Sequence, residues 1–254
     1  RELERASLVD VCGSCWEGLE PWQGAACARC GVPFASSAAL DSNSPICANC
    51  RGEEFEFDAA RPYGIYSGHL RAAILLTKFQ GRERLGLKLG TLLASRWDWV
   101  VENSLGEPPV LVPVPLHASR QRERGFNQAE LLAAGLRRAL ENRGKKPSLR
   151  LETRAVLRTR VTLPQTGLSL RQRHENVRGV FSVVAPERVN GQVVVLVDDV
   201  MTTGATVSAC AGTLKRAGAR RVLALTLARA TPQFPDDDSA AGSEPVDDSA
   251  RARR

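Results

Sequence analysis

A continuous apolar run at positions 193–197 and a largely apolar run at 222–228 dominate the pattern of hydrophobic and polar residues along this chain. Both consist mainly of β-branched and aliphatic residues, which is typical of strands buried on both faces of a parallel sheet. Between them, helical spacing predicts a helix over about 206–217, closed by Gly218 as its C-terminal cap. Strand, helix and strand in this order form the repeating unit of an open doubly wound sheet.

Upstream segments predict further elements of the same domain. Helical spacing favours helices over 69–79, 84–97 and 127–143, and the last has a core face that repeats every four residues at Leu132, Leu136 and Leu140. Extended segments are expected at 55–66, 110–114 and 155–157. The predicted fold class is therefore α/β, an open parallel sheet with helices on both faces, over residues 53–230.

Three stretches lack a sustained hydrophobic period. Residues 1–52 are rich in Cys, Gly and Pro, which indicates a small module organised by metal rather than by a core. The arginine-rich stretch 158–178 is either a disordered linker or a functional loop. Residues 231–254 are expected to form a disordered tail. Since no apolar run reaches about 20 residues and no signal-peptide pattern opens the chain, we expect no membrane insertion and a cytoplasmic location.

Six of the seven cysteines form three C-x-x-C pairs within the first 50 residues, which favours metal ligation over disulfides in a chain without a secretory signal. Two pairs are separated by 16 residues, the spacing of a tetrahedral Zn²⁺ site. We expect a structural zinc on these four thiolates, Cys27, Cys30, Cys47 and Cys50. In the alternative arrangement, Cys12 and Cys15 join Cys27 and Cys30, and the last pair is spare.

The net positive charge of the chain favours an anionic ligand. The formal net charge is +7, and because residues 231–254 contribute −3, residues 1–230 carry +10. A basic surface suits phosphates or a nucleic-acid backbone without choosing between them.

The segment 193–206 carries the most specific chemistry in the chain. Its apolar strand leads into Asp198 and Asp199, and a loop of small hydroxyl residues and glycine then opens a helix. Unpaired backbone N–H groups at a helix start bind phosphate, and the strand ends of open α/β sheets are where ligands lie. The predicted phosphate cradle comprises Met201, Thr202, Thr203, Gly204, Ala205 and Thr206. The two acids would repel a phosphate unless ribose hydroxyls or a divalent metal lay between them.

A second basic segment follows the strand at 110–114. Arg120, Arg122 and Arg124 are expected in a proline-stiffened loop, where guanidinium groups can clamp pyrophosphate oxygens in pairs. The alternative is a solvated basic loop. Tyr63 and Tyr66 are expected in a hood over the same site.

These motifs resemble two related families. Residues 193–206 look like the phosphoribosyl pyrophosphate motif of the type I phosphoribosyltransferases. The runs Val-Pro-Val-Pro at 112–115 and Arg-Gly-Phe-Asn-Gln at 124–128 resemble the ComF family of competence proteins, and this likeness spans about residues 12–229.

The resemblance implies a type I phosphoribosyltransferase-like sheet behind a double zinc ribbon with eight cysteines, which would place a missing pair before Arg1. It implies that Asp198 and Asp199 contact the ribose hydroxyls and act in any catalysis, that the 202–206 loop binds the 5′-phosphate, and that Arg120 and Arg124 serve the pyrophosphate. Mg²⁺ would accompany phosphoribosyl pyrophosphate, and the 158–178 loop would close over the site.

Three functions follow from this resemblance. The first is a protein of DNA uptake that engages single-stranded DNA and DNA-uptake proteins, with Trp16 and Trp22 as candidate stacking residues. The second is a nucleobase or amine phosphoribosyltransferase of salvage metabolism. The third is a non-catalytic sensor of phosphoribosyl pyrophosphate.

Overall fold

The computed structural model describes residues 11–34, 45–52, 54–143, 149–162, 176–177 and 179–231. Its strands are β1 (Ala59–Ile65), β2 (Val110–Pro113), β3 (Arg150–Leu151), β4 (Val156–Arg158), β5 (Phe181–Val183), β6 (Val193–Met201) and β7 (Arg221–Arg229). Five of them form a parallel sheet in the order β1-β7-β6-β2-β3. The expected open parallel sheet is confirmed.

The helices in the described ranges are α1 (Gly13–Glu17), α2 (Ala48–Gly52), α3 (Gly68–Gln80), α4 (Glu83–Leu92), α5 (Trp97–Asn103), α6 (Ala118–Arg124), α7 (Gln128–Asn142) and α8 (Ala205–Arg216). One helix had been predicted over 84–97. Instead, a 3₁₀ turn at Leu93–Arg96 separates α4 from α5. This tighter turn redirects the chain so that Leu89 of α4 and Val100 of α5 are both buried.

Both faces of the sheet are covered, as the continuous apolar runs require. Val193, Val195 and Val197 of β6 belong to one core cluster, together with residues of α3, α4, α5 and α7. The alternate residues Val194 and Leu196 belong to a second cluster, on the α8 face. Successive side chains of a strand point to opposite faces, so each face of β6 has its own core. Cys210 of α8 lies within the second cluster and is fully buried.

The strand expected at 155–157 exists but lies outside the central sheet. β4 pairs with β5 in an antiparallel ribbon, and a single bridge joins Arg158 to His117. Most of the loop expected over 158–178 falls on residues outside the described ranges, as does nearly all of the expected tail.

The cysteine module packs directly on the first strand. Ala60 N donates to Arg29 O at 2.7 Å, and Trp22 N donates to Tyr63 O at 2.8 Å. The Tyr63 hydroxyl donates to Leu19 O, and the residue is 4% exposed. Tyr63 is therefore part of the core beneath the module, and its predicted place in a hood over the ligand site is wrong. None of the described helices combines the length and hydropathy of a membrane span.

Candidate functional site

A cleft lies in front of Asp198 and Asp199 because β6 extends beyond the end of its neighbour β2. The β2–β6 ladder ends at Pro113 opposite Val197, while β6 continues beside β7 as far as Met201 opposite Arg229. Asp198 and Asp199 thus lie inside a strand rather than after it, in the part that has no β2 partner. The cleft in front of them has a volume of about 180 Å³.

The acids lie on opposite faces of β6 and have different partners. Asp199, on the same face as Val197, has its Oδ2 atom 2.9 Å from Lys78 Nζ of α3. Asp198, on the α8 face, accepts a hydrogen bond from the Asp199 backbone N–H at 2.9 Å. The ion pair therefore restrains one carboxylate, and the other faces the cleft and the α8 side of the sheet.

Burial and the charge of Asp199 raise the pKa of the Asp198 carboxyl to about 7. The backbone hydrogen bond, Lys78 and Arg158 favour the ionised form but do not outweigh burial. For Lys78, burial alone would lower the pKa, yet the ion pair with Asp199 and the nearby charge of Asp198 raise it. The floor of the cleft therefore holds one firmly paired carboxylate and one that titrates near neutral pH.

Arginines form the opposite wall. Arg120 and Arg124 both line the cleft, and they lie four residues apart on α6, hence on one helix face. Arg122 is exposed on the other side. The basic loop predicted here is in fact a helix: the His117 side chain accepts from Ser119 N at 3.2 Å and caps its start, and Gly125 ends it in a left-handed conformation.

The run 124–128 holds this wall against the strand end. Asn127 accepts from Ala129 N at 3.0 Å, which caps α7, and its amide donates to Val114 O at 3.1 Å. Arg124 Nη1 donates to Gln128 Oε1 at 3.1 Å. One asparagine therefore ties the start of α7 to the end of β2 and fixes the position of the arginine helix.

The predicted phosphate loop lies at the start of α8. Gly204 caps the helix with φ of +89°, and a Cβ atom there would lie 2.9 Å from Met201 Cε. Thr206 lines the cleft, and Thr203 Oγ1 accepts from Ala205 N at 3.4 Å. Thr202 is half-buried on the same turn. Met201 is 1% exposed with its side chain in the core, and its carbonyl oxygen accepts from Ala230 N at 3.0 Å and from Arg229 Nη1 at 2.9 Å.

Sequence reasoning missed two cations of the cleft. Lys78 comes from the last turn of α3, and no local spacing signals its pairing with Asp199. Arg158 had been assigned to a mobile loop, but it lies on β4, lines the cleft, and has its pKa lowered chiefly by burial. Gln128 and Thr162 complete the polar lining that was not predicted.

The cysteine module gathers four sulfurs at one point. The Sγ atoms of Cys27, Cys30, Cys47 and Cys50 all lie within 4.8 Å of one another. The Cys30 and Cys47 sulfurs are 3.7 Å apart, close to the ~3.8 Å edge of a tetrahedron built on ~2.3 Å Zn–S bonds. Four thiols in this arrangement fit a closed, structural Zn²⁺ site. Cys12 and Cys15 lie outside this cluster.

Comparison with known proteins follows the same two-part division. Residues 4–51 match the family model of the double zinc ribbon domain, and residues 148–250 match that of the phosphoribosyl transferase domain. Competence protein F of Haemophilus influenzae is 32% identical over 223 residues, which are 87% of this chain and 90% of that protein. The chain belongs to the ComF family.

Other ComF relatives show the same coverage. DNA utilization protein YhgH of Escherichia coli K12 is 34% identical over 204 residues, which span 80% of this chain and 83% of that one. Competence protein ComFC of Bacillus subtilis is 26% identical over 226 residues, or 86% and 84% of the two chains. Among solved structures, a B. subtilis glutamine phosphoribosylpyrophosphate amidotransferase overlaps 56% of this chain and 25% of its own, with 22% identity and a TM-score of 0.34. The family assignment does not depend on that overlap.

Proposed function

We propose that this ComF protein binds phosphoribosyl pyrophosphate in the cleft between β6, α6 and α8, and that it acts in the cytoplasm on DNA taken up by the cell. The observation that carries the first part is the charge separation across the cleft. Two carboxylates lie on the β6 floor, and two arginines of one helix face stand opposite. A sugar that bears anionic groups at two ends is complementary to this arrangement, with hydroxyls for the carboxylates and anions for the arginines.

The 5′-phosphate fits the start of α8. The loop 202–204 leads into a 12-residue helix whose first N–H groups have no intrahelical acceptor. Packing requires glycine at position 204, since a Cβ atom there would meet Met201 and the Phe55 ring. Thr206 contributes a hydroxyl from the first turn of the helix.

The ribose hydroxyls fit the acids. Ionised carboxylates only accept hydrogen bonds, so neutral hydroxyls placed between them and the phosphate satisfy both groups. Lys78 holds the Asp199 carboxylate in position through the 2.9 Å ion pair. The pKa of Asp198 is about 7. A cation bound together with the ligand would favour the ionised form of this carboxyl.

The pyrophosphate fits the arginine wall. Arg120, Arg124 and Arg158 approach the cleft from α6 and β4, and planar guanidinium groups bind phosphate oxygens in pairs. Carboxylate and phosphate oxygens are the ligands that Mg²⁺ prefers, so Asp198 and Asp199 fit a magnesium ion carried by the ligand. When bound, that ion neutralises charge on the pyrophosphate.

The DNA role rests on the family and on charge. The named relatives are a competence protein and a DNA utilization protein, and residues 1–230 of this chain carry +10. A surface of that charge attracts the backbone of single-stranded DNA without regard to sequence. The cytoplasmic location agrees with the three C-x-x-C pairs, since a compartment that keeps thiols reduced leaves such cysteines able to hold a metal.

Calorimetry with Mg²⁺ and phosphoribosyl pyrophosphate tests the cleft. Replacing Asp198→Asn together with Asp199→Asn should weaken binding roughly 100-fold, because the ribose loses both of its ionised acceptors and Mg²⁺ loses two carboxylate ligands. Glu141→Gln, a charge loss on the exposed side of α7, should leave affinity unchanged. An unaltered affinity of the double variant would refute the assignment. Pyrophosphate release measured against a panel of nucleobases, with and without DNA, then separates a transferase from a non-catalytic sensor.

A further inference from the structure

A second polar cavity, with a volume of about 190 Å³, lies where the cysteine module meets β1. The module contributes Trp22 and Gly31 to its lining, β1 contributes Arg61, and the 3₁₀ turn after α4 contributes Arg96. Gly31 has φ of +66°, and a Cβ atom there would lie 2.3 Å from Pro62 Cδ. The turn at Gly31 can therefore approach β1 closely only with glycine at this position. The cavity thus results from the packing of the cysteine module on β1.

Two guanidinium groups share this cavity. Arg96 is held in place because it donates to the carbonyl oxygens of Trp22 and Tyr63, the latter at 2.9 Å. Arg61 lies 5.2 Å from the centroid of the Trp99 ring, which supports its side chain from outside the cavity. Burial lowers the pKa of Arg96, and the charge of Arg61 lowers it further. The two cations are close enough to repel each other.

Across the described ranges, no carboxylate makes an ion pair with Arg61 or Arg96. The charges of Cys27 and Glu102 act on Arg61 only at longer range and do not offset the cost of its burial. Partly buried charges in folded proteins are usually paired, so two arginines on one polar cavity with no carboxylate partner in the described ranges indicate a site for an anion.

We propose that this second cavity binds a phosphate group, supplied either by the backbone of single-stranded DNA or by a free phosphate ion. Arg61 and Arg96 would bind its oxygens from two sides, and the anion would relieve their mutual repulsion. Trp22 also borders the cavity, with its indole N–H donating to Ala25 O at 3.2 Å. The DNA source rests on the DNA role proposed above, whereas the anion site itself does not.

The test compares Arg61→Gln with Arg137→Gln in the full chain. Both changes remove one positive charge, and Arg137 is exposed on α7 beside Glu141. Arg96 is left intact because it also holds two backbone carbonyls. In the first arm, fluorescence anisotropy follows a labelled oligothymidine over a range of salt concentrations. In the second, the shift in Tm is measured with inorganic phosphate against chloride at equal ionic strength.

If DNA supplies the phosphate, Arg61→Gln weakens oligonucleotide binding severalfold and makes the salt slope shallower by about 0.7, one phosphate contact on a single strand, while Arg137→Gln does neither. If the ligand is a free ion, Arg61→Gln loses part of the phosphate-induced Tm shift but binds DNA as the unmodified protein does. Arg61→Lys, which keeps the charge without the planar fork, should retain the salt slope and confirms the result should the glutamine variant fold poorly.

Equal behaviour of Arg61→Gln and Arg137→Gln in both arms would overturn the site. If the unmodified protein binds the oligonucleotide in that case, the DNA role stands and only the second cavity is rejected. If the unmodified protein does not bind DNA at low salt, the DNA role is rejected, and the Tm measurement with phosphate alone tests the anion site.

Discussion

Burial of Asp198 links the stability of the fold to pH. Its folded-state pKa of about 7 lies above the ~3.9 of an unfolded chain, so the folded protein holds this proton more tightly. Below the unfolded pKa, both states are protonated and the residue costs nothing. As pH rises from about 4 to about 7, the unfolded state ionises first, and stability is lost.

The change Asp198→Asn should therefore stabilise the fold at pH 8 while it weakens ligand binding. Asparagine has no charge to bury, so its gain in Tm over the unmodified protein should be largest above pH 7 and shrink towards pH 4. Asp199→Asn is the matched control: it leaves Lys78 buried without its partner and should lower Tm at pH 8. Thermal unfolding across this pH range is the measurement, and equal Tm changes for both variants would contradict the account.

Gly204 is the position in the predicted phosphate loop where a substitution should lower the stability of the fold. Gly204→Ala combines a positive φ, which costs an L-residue roughly 1–2 kcal/mol, with contacts of 2.9 Å and 3.3 Å to Met201 and Phe55. Gly106→Ala is the matched control, because its φ is +80° with no atom within 4 Å of the added Cβ. Denaturant unfolding should show a larger loss for Gly204→Ala, and calorimetry should show weaker ligand binding in that variant alone.

At the scale of one element, α6 presents two faces with different tasks. Arg120 lines the cleft, and Arg122, two residues later, is exposed on the outside. We expect Arg120→Glu to abolish binding of phosphoribosyl pyrophosphate, since it puts an acid against the pyrophosphate. Arg122→Glu should leave that affinity intact and weaken only salt-dependent binding of single-stranded DNA.

Both ligands are measured on both variants of α6, by calorimetry and by anisotropy. Should Arg122→Glu reduce the affinity for phosphoribosyl pyrophosphate as strongly as Arg120→Glu, the two faces of the helix would not be separate. The proposed orientation of the ligand would then be wrong.

At the scale of the whole molecule, the zinc site belongs to the core on the α8 face of the sheet. Cys27, Cys30 and Cys50 are buried in the same cluster as Phe55 and Val207, which lie on the linker and on α8. Arg229 at the end of β7 also approaches Cys30, with Nη2 3.9 Å from the sulfur. Loss of the metal should therefore disturb the sheet as well as the module.

We expect Cys50→Ser to lose one zinc equivalent per chain and to lower the Tm of the whole protein. Cys12→Ser, at an exposed position outside the four-sulfur cluster, should retain that equivalent and nearly the same Tm. Metal analysis and calorimetry give both values. Two separate unfolding transitions in Cys50→Ser, with the second unchanged, would show that the sheet does not depend on the zinc site.

Local periodicity was enough to predict the elements whose residues are neighbours in sequence. The buried strands β6 and β7 followed from apolar runs, the core face of α7 from helical spacing, and the cap of α8 from a glycine after the helix. C-x-x-C spacing likewise predicted a metal site, but it left two arrangements of the three pairs open, and the structure brought Cys27 and Cys30 together with Cys47 and Cys50. The family followed from motifs of this kind.

Contacts between distant segments were decided only by the tertiary structure. The sheet order β1-β7-β6-β2-β3 brings α3 beside β6, and only then does Lys78 meet Asp199. The end of β2 before Asp198 opens the cleft, and capping by His117 turns an arginine-rich run into a helix with a face towards it. The Arg61 and Arg96 cavity arises the same way, from packing the cysteine module on β1. Periodicity sets which face of its own element a residue occupies, but the partner across that face depends on strand order and crossover connections, which no local pattern encodes.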